Sequence, residues 1–293
     1  MVCRRRRVLA SCMVLATMLP ALSACSSSAP ANPPSSDSST APITVEINQS
    51  RDQYGKQAIQ IQFTNTTDDV LTVTGARVRS PLFDGDILWQ RSGNGLELPP
   101  RQPKSVPAAL PAASCGAAED GSSQATLEFT APGKEASEEV TDAADPFGVL
   151  SRNSAELCIA AQAAAVATLE LDPELKVAAD GQTAVVRLVI TPAGQGAQAQ
   201  SLTIESIDET TLLAQSPTDP WPRNVIVGAT QQELALTIRP ARCDPHAVAE
   251  DKVGTLLPLR VRVGERQGLI KVAASTDLRG RIYDFVTDAC AHG

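Results

Sequence analysis

Short stretches in which apolar and polar residues alternate one for one recur along most of this chain, and that period confines it to β-structure. "AIQIQF" at 58–63 sets Ile59, Ile61 and Phe63 against Gln60 and Gln62. Successive side chains of a strand point to opposite faces, so such a run has one face to bury and one to wet. "VLTVTGARV" (70–78), "ATLEF" (125–129), "TAVVRLVI" (183–190) and "SLTIESI" (201–207) follow the same rule. So do "ELALTI" (233–238), "PLRVRV" (258–263) and "GLIKVAA" (268–274). Most are separated by clusters of Gly, Pro, Asp or Asn, as in an antiparallel all-β fold.

Two segments break the period. "LRGRIYDFVTDAC" (278–290) places Ile282, Phe285, Val286 and Ala289 at helical spacing on one face. "VLSRNSAELC" (149–158) is a weaker helical signal at the comparable place earlier in the chain. With them an internal repeat emerges. Strands, Trp89, Cys115, a further strand and a helix ending in Cys158 are followed by strands, Trp221, Cys243, a strand pair and a helix ending in Cys290. The paired cysteines stand 43 and 47 residues apart. The expected fold is therefore two tandem immunoglobulin-like antiparallel β-sandwich domains, 43–162 and 163–293, each closed by a short helix. The boundary falls near the alanine-rich "IAAQAAAVA" at 159–167.

The N-terminus carries a different message. Arg4 to Arg7 precede an apolar run, Val8 to Leu22, that is too short for a comfortable membrane span and suits the core of a signal peptide. It ends in Leu22-Ser23-Ala24-Cys25, which resembles the lipobox of bacterial lipoproteins. The resemblance covers the first 25 residues. It implies cleavage after residue 24, a diacylglyceryl group on the Cys25 thiol and acylation of the new N-terminus. The mature chain would then be anchored by lipid to the outer face of the cell membrane, since two or more acyl chains give stable attachment. Arg5-Arg6-Arg7-Val8-Leu9 also resembles a twin-arginine export motif, which leaves the export route open. The alanine-rich, phenylalanine-poor composition resembles that of high-GC bacteria such as actinobacteria. Residues 26–42, "SSSAPANPPSSDSSTAP", hold nothing that could build a core, and read with Cys25 as a disordered tether of roughly 55 Å reach.

With Cys25 used by lipid, Cys115, Cys158, Cys243 and Cys290 remain, and four cysteines allow three pairings. The repeat favours Cys115–Cys158 and Cys243–Cys290, one bridge per domain, in a compartment where disulfides persist. Removal of residues 1–24 takes away four arginines and no acid, which moves the formal charge from −8 to −12. Such a surface repels phosphate backbones, so nucleic acid is not an expected partner.

The most chemical-looking stretch is "RPARCDPHAVAED", 239–251. One reading is a metal site built on Cys243 and His246, with Glu250 four residues on and His292 brought close by Cys290. The other is a strand end leading into a disulfide, with polar loop neighbours. Cys115, the counterpart in the repeat, is followed by "GAAEDG" and has no histidine, which favours the second reading. No metal or cofactor is expected. Asp84-Gly85-Asp86 lacks the rest of a calcium loop and reads as a turn. Gly194 to Ala199 imitates a dinucleotide fingerprint but precedes a strand, so it reads as a hairpin loop. There is no G-x-S-x-G elbow and only two histidines to serve as a base, so no catalytic residue is assigned.

Two Trp, two Tyr and five Phe leave little for the aromatic platform on which sugar rings stack. Trp89 reads as core. Trp221, framed by prolines in "DPWPRN", is the best binding candidate, with His246 second. The functional expectation is a non-enzymatic, membrane-tethered lipoprotein that presents interaction modules to an envelope protein or a cell-wall component. A metal- or solute-binding lipoprotein using the Cys243 and His246 region is the alternative, and an envelope enzyme the third reading.

Overall fold

Parity along the strands organises the first half of the molecule. The computed structural model describes residues 41–116, 121–194 and 201–291. The segment expected to be a signal peptide, Cys25, most of the expected tether, residues 195–199 of the glycine-rich loop and His292 lie outside them. Strands β1 (Ile43–Asn48) and β2 (Ala58–Asn65) pair antiparallel, and both bury every second residue. β3 (Leu71–Arg79), β4 (Ile87–Gln90), β5 (Leu96–Leu98), β6 (Pro103–Ala109), β7 (Gln124–Thr130) and β8 (Ser137–Ala144) complete the set. Their order is β4-β3-β7-β8-β1-β2-β6, with β5 also on β3. β8 follows β7 antiparallel as far as Asp142, then pairs parallel with β1 through Ala143 and Ala144. That handover joins two layers into one sheet around Ile59, Ile61, Phe63, Val73, Val78 and Leu127.

The second half is likewise built of strands and closed by a helix. β9 (Ala167–Leu171) and β10 (Lys176–Val177) both pair with β11 (Ala184–Pro192). β12 (Leu202–Ile207), β13 (Leu213–Gln215), β14 (Val225–Ile226), β15 (Gln232–Pro240), β16 (Leu256–Val263) and β17 (Arg266–Ala273) follow. One sheet runs β10-β11-β15-β13 with β9 on β11, and the other β14-β12-β16-β17. A detail below the level of strand order also recurs. β3 slips register against β7 between Val73 and Gly75, and β12 slips against β16 between Ile204 and Ser206. Each extra residue inverts the parity of burial, so Leu71 and Val73 face the core before the first bulge and Ala76 and Val78 after it.

A helix ends each half. Helix α1 (Val149–Ala164) begins where both carboxylate oxygens of Asp145 accept the Val149 and Leu150 N–H groups, at 2.7 and 2.8 Å. These donors have no partner within the helix, so the aspartate satisfies them from outside. The five-residue α2 (Pro245–Ala249) precedes β16, and α3 (Thr276–Ala291) buries Leu278, Ile282, Phe285, Val286 and Ala289. Disulfides tie both long helices to the loop before the penultimate strand of their half: Cys115–Cys158 holds α1 and Cys243–Cys290 holds α3. The chain as described is thus mostly β-sheet, in several sheets, with two disulfides. No helix among the described residues is long and apolar enough to cross a membrane.

The alanine-rich run expected to separate the halves does more than that. Its first six residues continue α1, because alanine is the strongest helix former and the extension has something to bury. Val149 and Leu150 belong to the first core, whereas Ile159 and Ala163 belong to the second. Ile159 is only 1 % exposed and lies over Gly268 of β17, where a Cβ would stand 2.9 Å from its Cγ2. One turn earlier on the helix, Glu156 accepts from Lys271 of β17 at 2.6 Å. Residues from Thr40 onward accordingly form one compact unit. Ile159→Ala, although it precedes residue 163, should destabilise the second half by about 2–5 kcal/mol. Urea unfolding of a Trp89→Phe background, where Trp221 fluorescence alone is read, measures this; an unchanged midpoint would contradict the shared helix.

Candidate functional site

Several residues of the stretch 239–251 take part in holding the fold. Arg239 and Pro240 finish β15, and Cys243 is spent on Cys290. An oxygen of Asp244 accepts the His246 N–H at 2.9 Å and so starts α2. The His246 side chain is exposed. Among the described residues no group of three or more His, Cys, Asp or Glu is placed to hold a metal. Asp251 is the focus of the stretch. Its carboxylate accepts from the Thr211 hydroxyl (2.7 Å), the Gly254 N–H (2.8 Å) and the Tyr283 hydroxyl (2.8 Å), pinning the loop to α3. Burial, and then the hydrogen bond and charge of Asp251, push the Tyr283 phenol up to about 12.

Trp221 does not offer the open face that its proline-framed loop led the sequence reading to consider. It is 4 % exposed, and its indole N–H donates to the Thr237 carbonyl at 2.9 Å, so it serves the core of the second half rather than a ligand. Trp89 is half-buried, its ring tilted against Phe63 at 6.0 Å. In the Asp84-Gly85-Asp86 turn, Asp84 accepts from the Ser114 hydroxyl and Asp86 pairs with Arg79 at 3.1 Å and Arg77 at 3.7 Å.

A concavity with a mixed lining lies instead where the two halves meet. A single 3-10 turn, Arg51–Gln53, follows β1, held because Gln53 accepts the Ser50 N–H and donates to the Ile59 carbonyl. The turn delivers Tyr54 to the second half, where the Lys271 ammonium sits 5.1 Å from the ring centroid. Arg152 of α1 lies 5.7 Å from the same ring. Gly55 lies next to Leu256, with space for a Cβ only 3.1 Å from Leu256 Cδ2. Leu256 and Pro258 of β16, with Leu269 and Lys271 of β17, form the floor of a cleft of about 410 Å³. Arg242, from the stretch above, reaches its rim. No spacing in the sequence pointed to this cleft, because its walls come from segments far apart in the chain. The one available signal was the pair of apolar residues, Leu256 and Leu269, on the face of β16 and β17 opposite the buried one.

Comparison with known proteins identifies no family for the chain. No protein-family model matches the chain, and no curated protein matches it. Among solved structures, red sea bream transglutaminase aligns with 81 % of this chain and 32 % of its own, at 8 % identity and a TM-score of 0.24. The exo-β-D-glucosaminidase CsxA, bound to an inhibitor, aligns with 78 % of this chain and 26 % of its own, at 15 % identity and a TM-score of 0.20. The chain thus spans about a third or less of these proteins, and at such TM-scores the likeness carries no argument.

Two outcomes are expected at this site. Replacing both Cys243 and Cys290 by Ser should cost about 2–5 kcal/mol, whereas His246→Ala should cost less than about 0.5 kcal/mol, as thermal unfolding with and without chelator would read. Tyr283 also makes stability depend on pH in the alkaline range. A phenol raised in the folded state contributes stability that is whole below its ordinary value of 10.0 and is lost as pH climbs toward about 12. In a Tyr54→Phe background the tyrosinate absorbance reports Tyr283 alone. Its midpoint should lie near 12 and fall when Asp251→Asn removes the adjacent charge.

Proposed function

We propose that this chain is a non-enzymatic, lipid-anchored protein of the bacterial cell envelope that presents two tandem immunoglobulin-like modules as one stiff interaction unit. In the second half β9 with β10, β11, β15 and β13 take the places of strands A, B, E and D of that fold. β12, β16 and β17 take those of C, F and G. In the first half β1, β2 and β6 face β3, β7 and β8 in the same succession. The observation that carries the reading is the repetition of this plan together with its bulge and its disulfide-held helix. Folds of this kind host binding surfaces of many sorts, so the module by itself names no partner.

The N-terminal resemblance supplies the address. Lipid on Cys25 and a tether up to residue 42 would hold the modules away from the bilayer, and the acidic mature chain would keep off anionic headgroups. An envelope protein or a cell-wall component is the partner this placement favours. Cys25→Ala should release the protein from membranes or leave it as unprocessed precursor. Detergent phase partitioning of mutant and wild type reads the difference, and a processed mutant that still partitions with the membrane would reject the anchor.

A further inference from the structure

The polar groups that line a cleft decide what it can hold, and most of those between the two halves are already engaged. Lys271 is neutralised by Glu156. The Thr210 hydroxyl donates to the Gly254 carbonyl at 2.7 Å and accepts the Leu213 N–H at 2.9 Å, while the Thr211 hydroxyl donates to Asp251. Two opposite charges remain. The Arg242 guanidinium makes no hydrogen bond or ion pair among the described residues. Glu209 accepts the Gln215 N–H at 3.0 Å through one oxygen, and its other oxygen has no partner among them. The rest of the lining is apolar: Val253, Leu256, Pro258, Leu269 and the ring of Tyr54.

We infer that this cleft binds a small zwitterion with an apolar body, the chemistry of an apolar α-amino acid or a dipeptide of such residues. Its carboxylate meets Arg242, its ammonium meets Glu209, and its side chains lie on Leu256, Pro258 and Tyr54. Each simpler ligand class leaves something unpaid. An anion alone faces the carboxylate of Glu209, and a cation alone faces Arg242. A neutral apolar molecule strips water from both charges without replacing it, which is costly for any ion left unpaired. A zwitterion answers both and is neither drawn nor repelled by the acidic surface at long range. The volume of about 410 Å³ falls within the range of small-ligand sites, which favour the seams between structural units. The inference goes beyond the tethered-module reading and does not depend on it, since the cleft is formed wholly by residues from Tyr54 onward.

Calorimetric titration of the full-length protein in phosphatidylcholine nanodiscs tests it, with empty nanodiscs as blank. The probes are L-leucine, L-phenylalanine and L-leucyl-L-phenylalanine, each compared with its N-acetyl and its C-amide form. One-to-one binding of at least one zwitterion is expected. Either blocking group should weaken it about tenfold or more, as should Arg242→Gln or Glu209→Gln. Both side chains are exposed, so these variants keep the fold, which their melting temperatures would verify. Absence of binding by all three probes overturns the inference. So does binding weakened by only one of the two blocking groups, and so does binding that survives the Arg242→Gln/Glu209→Gln double variant.

Discussion

The contact on which the rest of this structure depends is small: the side chain of Ile159 laid against the bare backbone of Gly268. It lets α1 approach the outermost strand of the second half as closely as a helix can. A helix that closes one core thereby becomes part of the next. A 16-residue helix is stiff over roughly 24 Å, so the halves share a rigid element instead of a flexible joint. The ion pair of Glu156 with Lys271 and the placement of both cations around Tyr54 follow from that approach. So does the cleft, since Tyr54 reaches Leu256 only because the joint is closed.

The two disulfides and the Asp251 clamp act on the same elements from the other side. Cys158 and Cys290 each fasten a helix to the loop that enters the penultimate strand. Asp251 then ties the loop after α2 to Tyr283 and Thr211. In the stretch 239–251, therefore, the polar residues are spent largely on fastening α3 and its loop. Arg242, by contrast, lines the cleft.

Much of the fold was legible because it obeyed a period. β2, β7, β11, β15 and β16 could be read directly, and so could α3, whose four spaced apolar residues are all buried. β8 could not: "SEEVTDAA" exposes most of both faces and owes its pairing to neighbours rather than to its own pattern. The bulges at Thr74 and Glu205 were hidden because one inserted residue looks the same as a lapse in alternation. Alanine-rich sequence serves equally well as a spacer or as helix, so the extension of α1 through Ala164 was decided by what Ile159 could bury. Trp221 was misleading for a related reason: its flanking prolines marked a loop, but its N–H found the Thr237 carbonyl. The cleft depends on Tyr54, the 209–211 loop, Arg242 and the β16–β17 pair meeting, which no local pattern records.

The spacing of the cysteines has a consequence for how the chain is made. Synthesis runs from the N-terminus, and both partners of the first bridge emerge before either partner of the second. Cys158 can thus meet Cys115 before Cys243 or Cys290 has been made. Ile159, one residue later, has the opposite schedule. Its partner Gly268 is made last but for the final helix, so the end of α1 waits with its apolar face uncovered while the whole second half is produced.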